Sequence, residues 1–104
     1  MTKILDLCAC DDVELEDVIR VDQDGLSFAV FRSPDDKFYV TDGMCTHENV
    51  PLSGGLVMDH IIECPKHNGR FDYRTGQAKG APVCVNLRTY PVTLANGRVS
   101  VTVS

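Results

Sequence analysis

Two short segments of the sequence each pair a cysteine with a histidine. In "MCTHENV", Cys45 and His47 are two positions apart, and in "CPKHNGRFD", Cys64 and His67 are three positions apart. Sixteen residues separate His47 from Cys64. Thiolates and imidazoles are ligands that transition metals and iron–sulfur clusters use in proteins. The spacing therefore predicts a metal site with four ligands, Cys45, His47, Cys64 and His67, supplied by two loops.

The distribution of the ligands between the two segments favours one kind of metal centre. A structural zinc site usually takes paired cysteines from one segment and paired histidines from another. Here each segment offers one of each, which suits a binuclear centre whose thiolates bind one iron and whose imidazoles bind the other. A Cys2His2 zinc-stabilised interaction domain remains an alternative.

Four further residues of these types are left over. Cys8 and Cys10 form a C-x-C pair near the N-terminus, and we interpret them as buried or idle thiols. Cys84 follows Pro82, and the ligand count is full without it. His60 begins a short apolar run and is interpreted as a surface or edge residue without a redox function.

Length, charge and cysteine content limit the class of protein. The 104 residues suit one domain, 1–104, and the net charge is −5, with five acids between Asp11 and Asp17. This balance excludes nucleic acid as a partner and permits docking on a basic protein. The sequence contains no apolar run long enough for a membrane span and no signal peptide pattern. We therefore expect a cytoplasmic protein. In that reducing compartment, five cysteines, an odd number, favour metal binding over a disulfide framework.

The apolar pattern predicts many short strands. The runs 18–21 and 26–31 flank "DQDG", and the run 37–42 follows "SPDD", a turn sequence. A further run is "HIIEC". Near the C-terminus, "LRTYPVTL" and "RVSVTVS" flank Ala95-Asn96-Gly97, a strong hairpin signal. One helical turn is expected around Asp11 to Asp17. The expected fold is all-β, a small antiparallel sandwich or barrel.

The two Cys/His segments fall in stretches that read as irregular loops. The span 44–55 contains Pro51 and two glycines, and the span 65–82 contains three glycines and ends at Pro82. Each begins just after a predicted strand, so both loops can meet at one end of the sheet.

At this point the sequence resembles a known family. "CTH", sixteen residues and then "CPKH" resemble the Rieske [2Fe-2S] signature, C-x-H followed by C-x2-H. The resemblance continues through "GRFD-x-R-T-G", the Pro82 loop and the terminal strand pair, and length and acidity are similar to the free-standing Rieske ferredoxins of bacterial ring-hydroxylating dioxygenase systems. It implies one [2Fe-2S] cluster per chain, with Cys45 and Cys64 on the inner iron and His47 and His67 on the outer iron, near solvent.

The resemblance also implies a function. The chain would be a one-electron carrier in aromatic hydrocarbon catabolism, without a substrate site of its own and so not an enzyme. It would act as a monomer that passes electrons from a flavoprotein NAD(P)H ferredoxin reductase to a terminal oxygenase. The alternative within the resemblance is a small Rieske-like subunit of an assimilatory nitrite reductase.

Several positions depart from the respiratory members of the family. Val50 and Lys66 stand where those proteins have an extra pair of cysteines, so that disulfide cannot form. Gly69 and Phe71 stand where they have a serine and a tyrosine whose hydroxyls bond to the cluster. Since donors to the cluster raise its potential, we expect the low end of the Rieske range of roughly −150 to +300 mV. Asn68 replaces a glycine, and asparagine tolerates left-handed backbone.

Overall fold

The computed structural model describes residues 2–46, 49–66, 68–80 and 85–104. Within these ranges the chain consists almost entirely of antiparallel β-structure, with 3-10 turns at Cys10–Asp12 and Leu52–Gly54. The strands are β1 (Lys3–Ala9), β2 (Asp17–Gln23), β3 (Leu26–Arg32), β4 (Phe38–Asp42), β5 (Leu56–Met58), β6 (Ile61–Glu63), β7 (Arg70–Asp72), β8 (Gln77–Ala78), β9 (Thr89–Tyr90), β10 (Val92–Ala95) and β11 (Arg98–Val103). They form three sheets, ordered β1-β11-β10, β2-β3-β4-β9 and β5-β6-β7-β8. The predicted all-β antiparallel fold is confirmed.

Two tight hairpins set the register of the larger sheets. Asp24 and Gly25 join β2 to β3 with φ of 57° and 75°, and Asn96 and Gly97 join β10 to β11 with φ of 53° and 72°. Positive φ at both central residues is the requirement of a two-residue turn whose twist matches that of the strands. The turns predicted from "DQDG" and "ANG" therefore lie where the sequence placed them.

A first buried cluster joins the terminal sheet to the central one. Val99, Val101 and Val103 of β11 are buried, as the alternation of that strand predicts, and they pack with Phe28 and Val30 of β3. This cluster is the interior of a sandwich made by the sheets β1-β11-β10 and β2-β3-β4-β9.

The central strand β3 is buried on both of its faces. Phe28 and Val30 belong to the first cluster, whereas Ala29 and Phe31 belong to a second, and all four are 0% exposed. A continuous apolar run is the expected sequence of a strand covered on two sides. The second cluster lies between the central sheet and β5-β6-β7-β8, so the small third sheet packs on the sandwich through the far face of β3.

The structure differs from the sequence expectations in several places, and strand β5 (Leu56–Met58) is one that was not predicted. The helical turn is a 3-10 turn at 10–12, not a longer piece over 11–17. The expected loop 65–82 contains β7 and β8, which are only three and two residues long. Strand β1 was not predicted, because a bulge between Asp6 and Cys8 breaks the alternation and leaves the adjacent Leu7 and Cys8 both buried. No helix among the described residues has the length and apolar character needed to cross a bilayer.

Candidate metal centre

Two loops at one end of the third sheet carry the predicted cysteines. The first loop, 43–55, leads from β4 to β5, and the second loop, 64–69, leads from β6 to β7. Cys45 and Cys64 are 4% and 1% exposed, and both belong to the second buried cluster. The structure therefore brings the two thiols to one apolar region, as the sequence predicts.

Glycines in the first loop allow it to contact the strand and loop that carry Cys64. A Cβ atom on Gly54 would lie 3.7 Å from Cγ of Pro65, an ordinary van der Waals distance. A Cβ atom on Gly55 would instead overlap the backbone carbonyl oxygen of Glu63, the residue before Cys64. Only glycine permits so close an approach of the two backbones at residue 55. The adjacent glycines of "PLSGGL" were a signal for this contact that the sequence reasoning did not use.

Each of the two loops is closed by an equivalent backbone hydrogen bond. The amide of Cys45 donates to the carbonyl of Val50 at 2.9 Å, and the amide of Cys64 donates to the carbonyl of Gly69 at 2.6 Å. In each loop the acceptor lies five positions after the cysteine. Each cysteine is thereby held at the base of its loop.

The rest of the predicted ligand set lies outside the described residues, since His47 and His67 are not among them, and neither are Pro82 and Cys84. Among the described residues, no group of three or more histidine, cysteine or acidic side chains is placed to hold a metal ion. The four-ligand set thus stays a prediction, of which the structure places two members.

The surroundings of the two cysteines suit an iron–sulfur cluster. Ile62, Phe71 and Leu87 share the buried cluster with them, and each is at most 4% exposed. Such an apolar shell limits solvent access, which is one of the factors that sets the potential of a bound cluster. Two buried thiols, each at the base of a loop that continues to a histidine, are a donor set that fits this group. The left-handed backbone expected at Asn68 is present, with φ of 55°.

The run "FDYRTG" forms a tight turn that follows the second loop. Asp72, which is 7% exposed, accepts hydrogen bonds from the backbone amide, Nε and a terminal nitrogen of Arg74, at 2.9, 3.1 and 2.9 Å. Its carbonyl accepts a hydrogen bond from Gly76 at 2.7 Å, where φ is 80°. The motif is therefore a folded unit that ends β7 and begins β8.

This turn predicts a loss of stability in acid. Hydrogen bonds from Arg74 lower the pKa of the Asp72 carboxyl below its usual value, against the opposing effect of burial. A lowered pKa in the folded state gives stability that is present above the unfolded pKa of about 4 and is lost as pH falls through the folded value. We expect Asp72→Asn to lower stability at pH 7 by about 1–2 kcal/mol. Thermal melts from pH 7 to pH 2.5 should show the two proteins converging in acid, and a constant difference would contradict this role.

Two of the remaining candidates, Cys8 and His60, lie away from the two loops. Cys8 is 6% exposed, and burial, followed by the nearby Asp12 carboxylate, raises its pKa to about 11, so the thiol is protonated at neutral pH. His60 occupies the β5–β6 turn, at the opposite end of β6 from Cys64. Its ring nitrogens lie 3.4 Å from Oδ1 of Asp35 and 3.3 Å from Oδ1 of Asp59. These positions agree with the interpretation of both residues as outside the metal centre.

Comparisons with known proteins identify the family. The Rieske [2Fe-2S] domain matches residues 3–91. The chain is 39% identical over 102 residues to the ferredoxin component of the naphthalene 1,2-dioxygenase system of Pseudomonas putida, which covers 98% of this chain and 97% of that protein. Membership of this family contradicts the alternative of a Cys2His2 zinc-stabilised domain. The relatives are ferredoxin components rather than catalytic subunits, which confirms the prediction that the chain is not itself an enzyme.

Solved structures agree with this assignment. The Sphingomonas yanoikuyae B1 ferredoxin superimposes with a TM-score of 0.89 at 39% identity, over 95% of this chain and 97% of that one. The ferredoxin in a complex of reduced oxygenase and oxidized ferredoxin of carbazole 1,9a-dioxygenase gives 0.87 at 36% identity, over 94% and 91%. A candidate nitrite reductase small subunit from Mycobacterium tuberculosis gives 0.87 over 100% and 97%, but its 22% identity shows a shared fold alone. The chain belongs to the family of Rieske [2Fe-2S] domains, whose cofactor is a [2Fe-2S] cluster.

Proposed function

We propose that this protein is the ferredoxin of a multicomponent aromatic ring-hydroxylating dioxygenase, carrying single electrons from a flavin-dependent NAD(P)H reductase to the terminal oxygenase. The observation that supports this most is the 39% identity, over nearly the whole of both chains, to a dioxygenase ferredoxin component. We further propose that it works in the cytoplasm as a monomer.

The proposed ligands are Cys45 and Cys64 for one iron and His47 and His67 for the other. The support is the matched backbone hydrogen bond that closes each loop behind its cysteine, together with the burial of both thiols. When bound, the cluster supplies the capacity to take up and release one electron. The two imidazoles carry no charge, so a cluster with this set is less negative than one with four thiolates and accepts an electron more readily.

The residues at positions 69 and 71 offer no hydroxyl that could donate a hydrogen bond to the cluster, and this affects its reduction potential. Phe71 is 0% exposed in the cluster that contains both cysteines, and its ring carries no hydroxyl. Gly69 has no side chain, and its carbonyl is occupied by the amide of Cys64. With no hydroxyl donor at either position, the proposed potential lies at the low end of the Rieske range.

The acidic segment 11–17 is the proposed source of electrostatic attraction to basic partners. Asp11, Asp12, Glu14, Glu16 and Asp17 are all exposed. Three of them also accept hydrogen bonds from backbone amides: Asp12 from Ala9, Glu16 from Asp59 and Asp17 from Val18. Complementary charge raises the rate at which partners meet. At ~0.1 M salt, the attraction between exposed charges more than about 10 Å apart is largely screened.

Electron transfer to the oxygenase is therefore expected to slow with salt. Stopped-flow reoxidation of the reduced ferredoxin should slow by about tenfold as ionic strength rises from ~0.02 to ~0.5 M, while the visible spectrum stays unchanged. Asp11→Asn combined with Glu14→Gln removes two charges without removing the hydrogen bonds above, and should flatten the salt dependence. A rate that is constant or rises with salt would show that apolar contact governs docking.

Reconstitution of the electron chain tests the function itself. The ferredoxin, a flavoprotein reductase, NADH and a terminal oxygenase with its aromatic substrate are combined, and each is omitted in turn. We expect hydroxylated product only when the ferredoxin is present, with one electron carried per ferredoxin per cycle. Failure to reduce any such oxygenase, together with support of nitrite reduction by a nitrite reductase large subunit, would favour the alternative.

A further inference from the structure

The segment 85–88 packs through Leu87 against the buried cluster that contains Cys45 and Cys64. Leu87 is 4% exposed and belongs to the same buried cluster as Cys45 and Cys64. Its amide donates to the carbonyl of Gly76 at 2.7 Å, and Oδ1 of Asn86 accepts a hydrogen bond from the amide of Ala78 at 3.0 Å. The segment is thus fixed to β8 and to the turn before it, on the side that belongs to the third sheet.

One side-chain hydrogen bond attaches this segment to the first loop as well. The hydroxyl of Thr46 donates to the carbonyl of Val85 at 2.7 Å, across 39 positions of sequence. Thr46 lies between Cys45 and His47, so its backbone is fixed wherever those two residues bind metal. Val85 is 59% exposed, so its position depends on its backbone contact rather than on burial.

We propose that Thr46 is a positioning residue whose hydroxyl holds segment 85–88 against the first loop and so limits the access of water and small solutes to the bound cluster. This inference rests on the proposed function. Thr46 is not a proposed ligand of the cluster, and it acts only through its hydrogen bond to the Val85 carbonyl. A valine has nearly the same shape without a hydroxyl, whereas a serine keeps the hydroxyl and loses only a methyl group.

Three variants of the cluster-loaded protein test this role. Thr46→Val removes the hydrogen bond, Thr46→Ser keeps it, and Thr93→Val makes the same chemical change on an exposed position of β10, in the terminal sheet. The measurements are the rate of iron release to an excess of chelator and the amide hydrogen exchange of a peptide that covers 85–88. Thr46→Ala replaces the valine variant if far-UV circular dichroism shows that the latter is not folded.

We expect Thr46→Val to release iron roughly fivefold faster, the factor that corresponds to the net free energy of one hydrogen bond. Exchange in 85–88 should rise by a similar factor, with an unchanged visible spectrum, while Thr46→Ser and Thr93→Val behave as wild type. Wild-type rates of iron release and exchange in Thr46→Val, or an equal increase of both rates in Thr46→Ser, would overturn the positioning role. Either result would leave the electron-carrier function intact. Wild-type protein without iron and sulfide would overturn both.

Discussion

Cys45→Ser is expected to give folded but colourless protein that retains no iron–sulfur cluster. Cys45 is 4% exposed among apolar side chains, so a serine hydroxyl there replaces a soft thiolate with a poor ligand for iron. The first loop contains no other cysteine that could replace Cys45 as a ligand. Iron and sulfide content should fall to near zero, and the visible absorption of the cluster should disappear. His67→Cys is expected to abolish or convert the cluster for the matching reason, since it replaces an imidazole with a thiolate.

Two matched substitutions serve as controls for ligand loss. Cys84→Ser should leave the spectrum and the iron content intact, because the four proposed ligands complete the site without it. Cys10→Ser changes a partly buried thiol at the 3-10 turn that follows β1, and it should also be silent. Loss of iron in Cys84→Ser, or a normal spectrum in Cys45→Ser, would show that the ligands have been assigned wrongly.

Gly55→Ala is expected to destabilise the protein by about 2 kcal/mol or more, because overpacking of a close contact forces backbone to move. The added Cβ would overlap the carbonyl oxygen of Glu63, so either the first loop or β6 must shift. Both elements lead into a proposed ligand, and the shift should therefore lower cluster content as well as the thermal midpoint. The midpoint is read from loss of the visible absorption on heating.

Gly54→Ala is the control for this prediction, since it adds the same methyl group one residue earlier. Its Cβ would meet only Cγ of Pro65, at 3.7 Å, and φ at that residue is not in the left-handed region. The variant should melt close to wild type with full iron content. Equal effects at the two positions would mean that the approach to Glu63 does not hold the loops together.

Local patterns were enough to predict much of the fold. The turn residues Asp24-Gly25 and Asn96-Gly97 fix two hairpins through their own backbone preferences, without help from distant contacts. The alternation of Val99, Val101 and Val103 identifies a buried face because the period of a strand is two. The spacing of "CTH" and "CPKH" likewise predicted two loops that converge, and the structure places both cysteines in one cluster.

What the sequence could not predict depends on contacts between distant segments. The hydrogen bond from Thr46 to Val85 spans 39 positions, and no local preference of threonine indicates its acceptor. The bulge in β1 appears only when the strand pairs with β11. The short strands β7 and β8 carry polar residues such as Arg70 and Gln77, and pairing within the third sheet, not propensity, makes them strands.

The electron paramagnetic resonance spectrum of the chemically reduced protein tests the central claim most directly, since it reports the ligands of the iron that receives the electron. For a [2Fe-2S] cluster with two cysteine and two histidine ligands, we predict a rhombic signal with a low average g value, as in the mixed-ligand family. A signal with the higher average g of a four-cysteine cluster, or no signal from protein that contains zinc and no iron, would contradict the account.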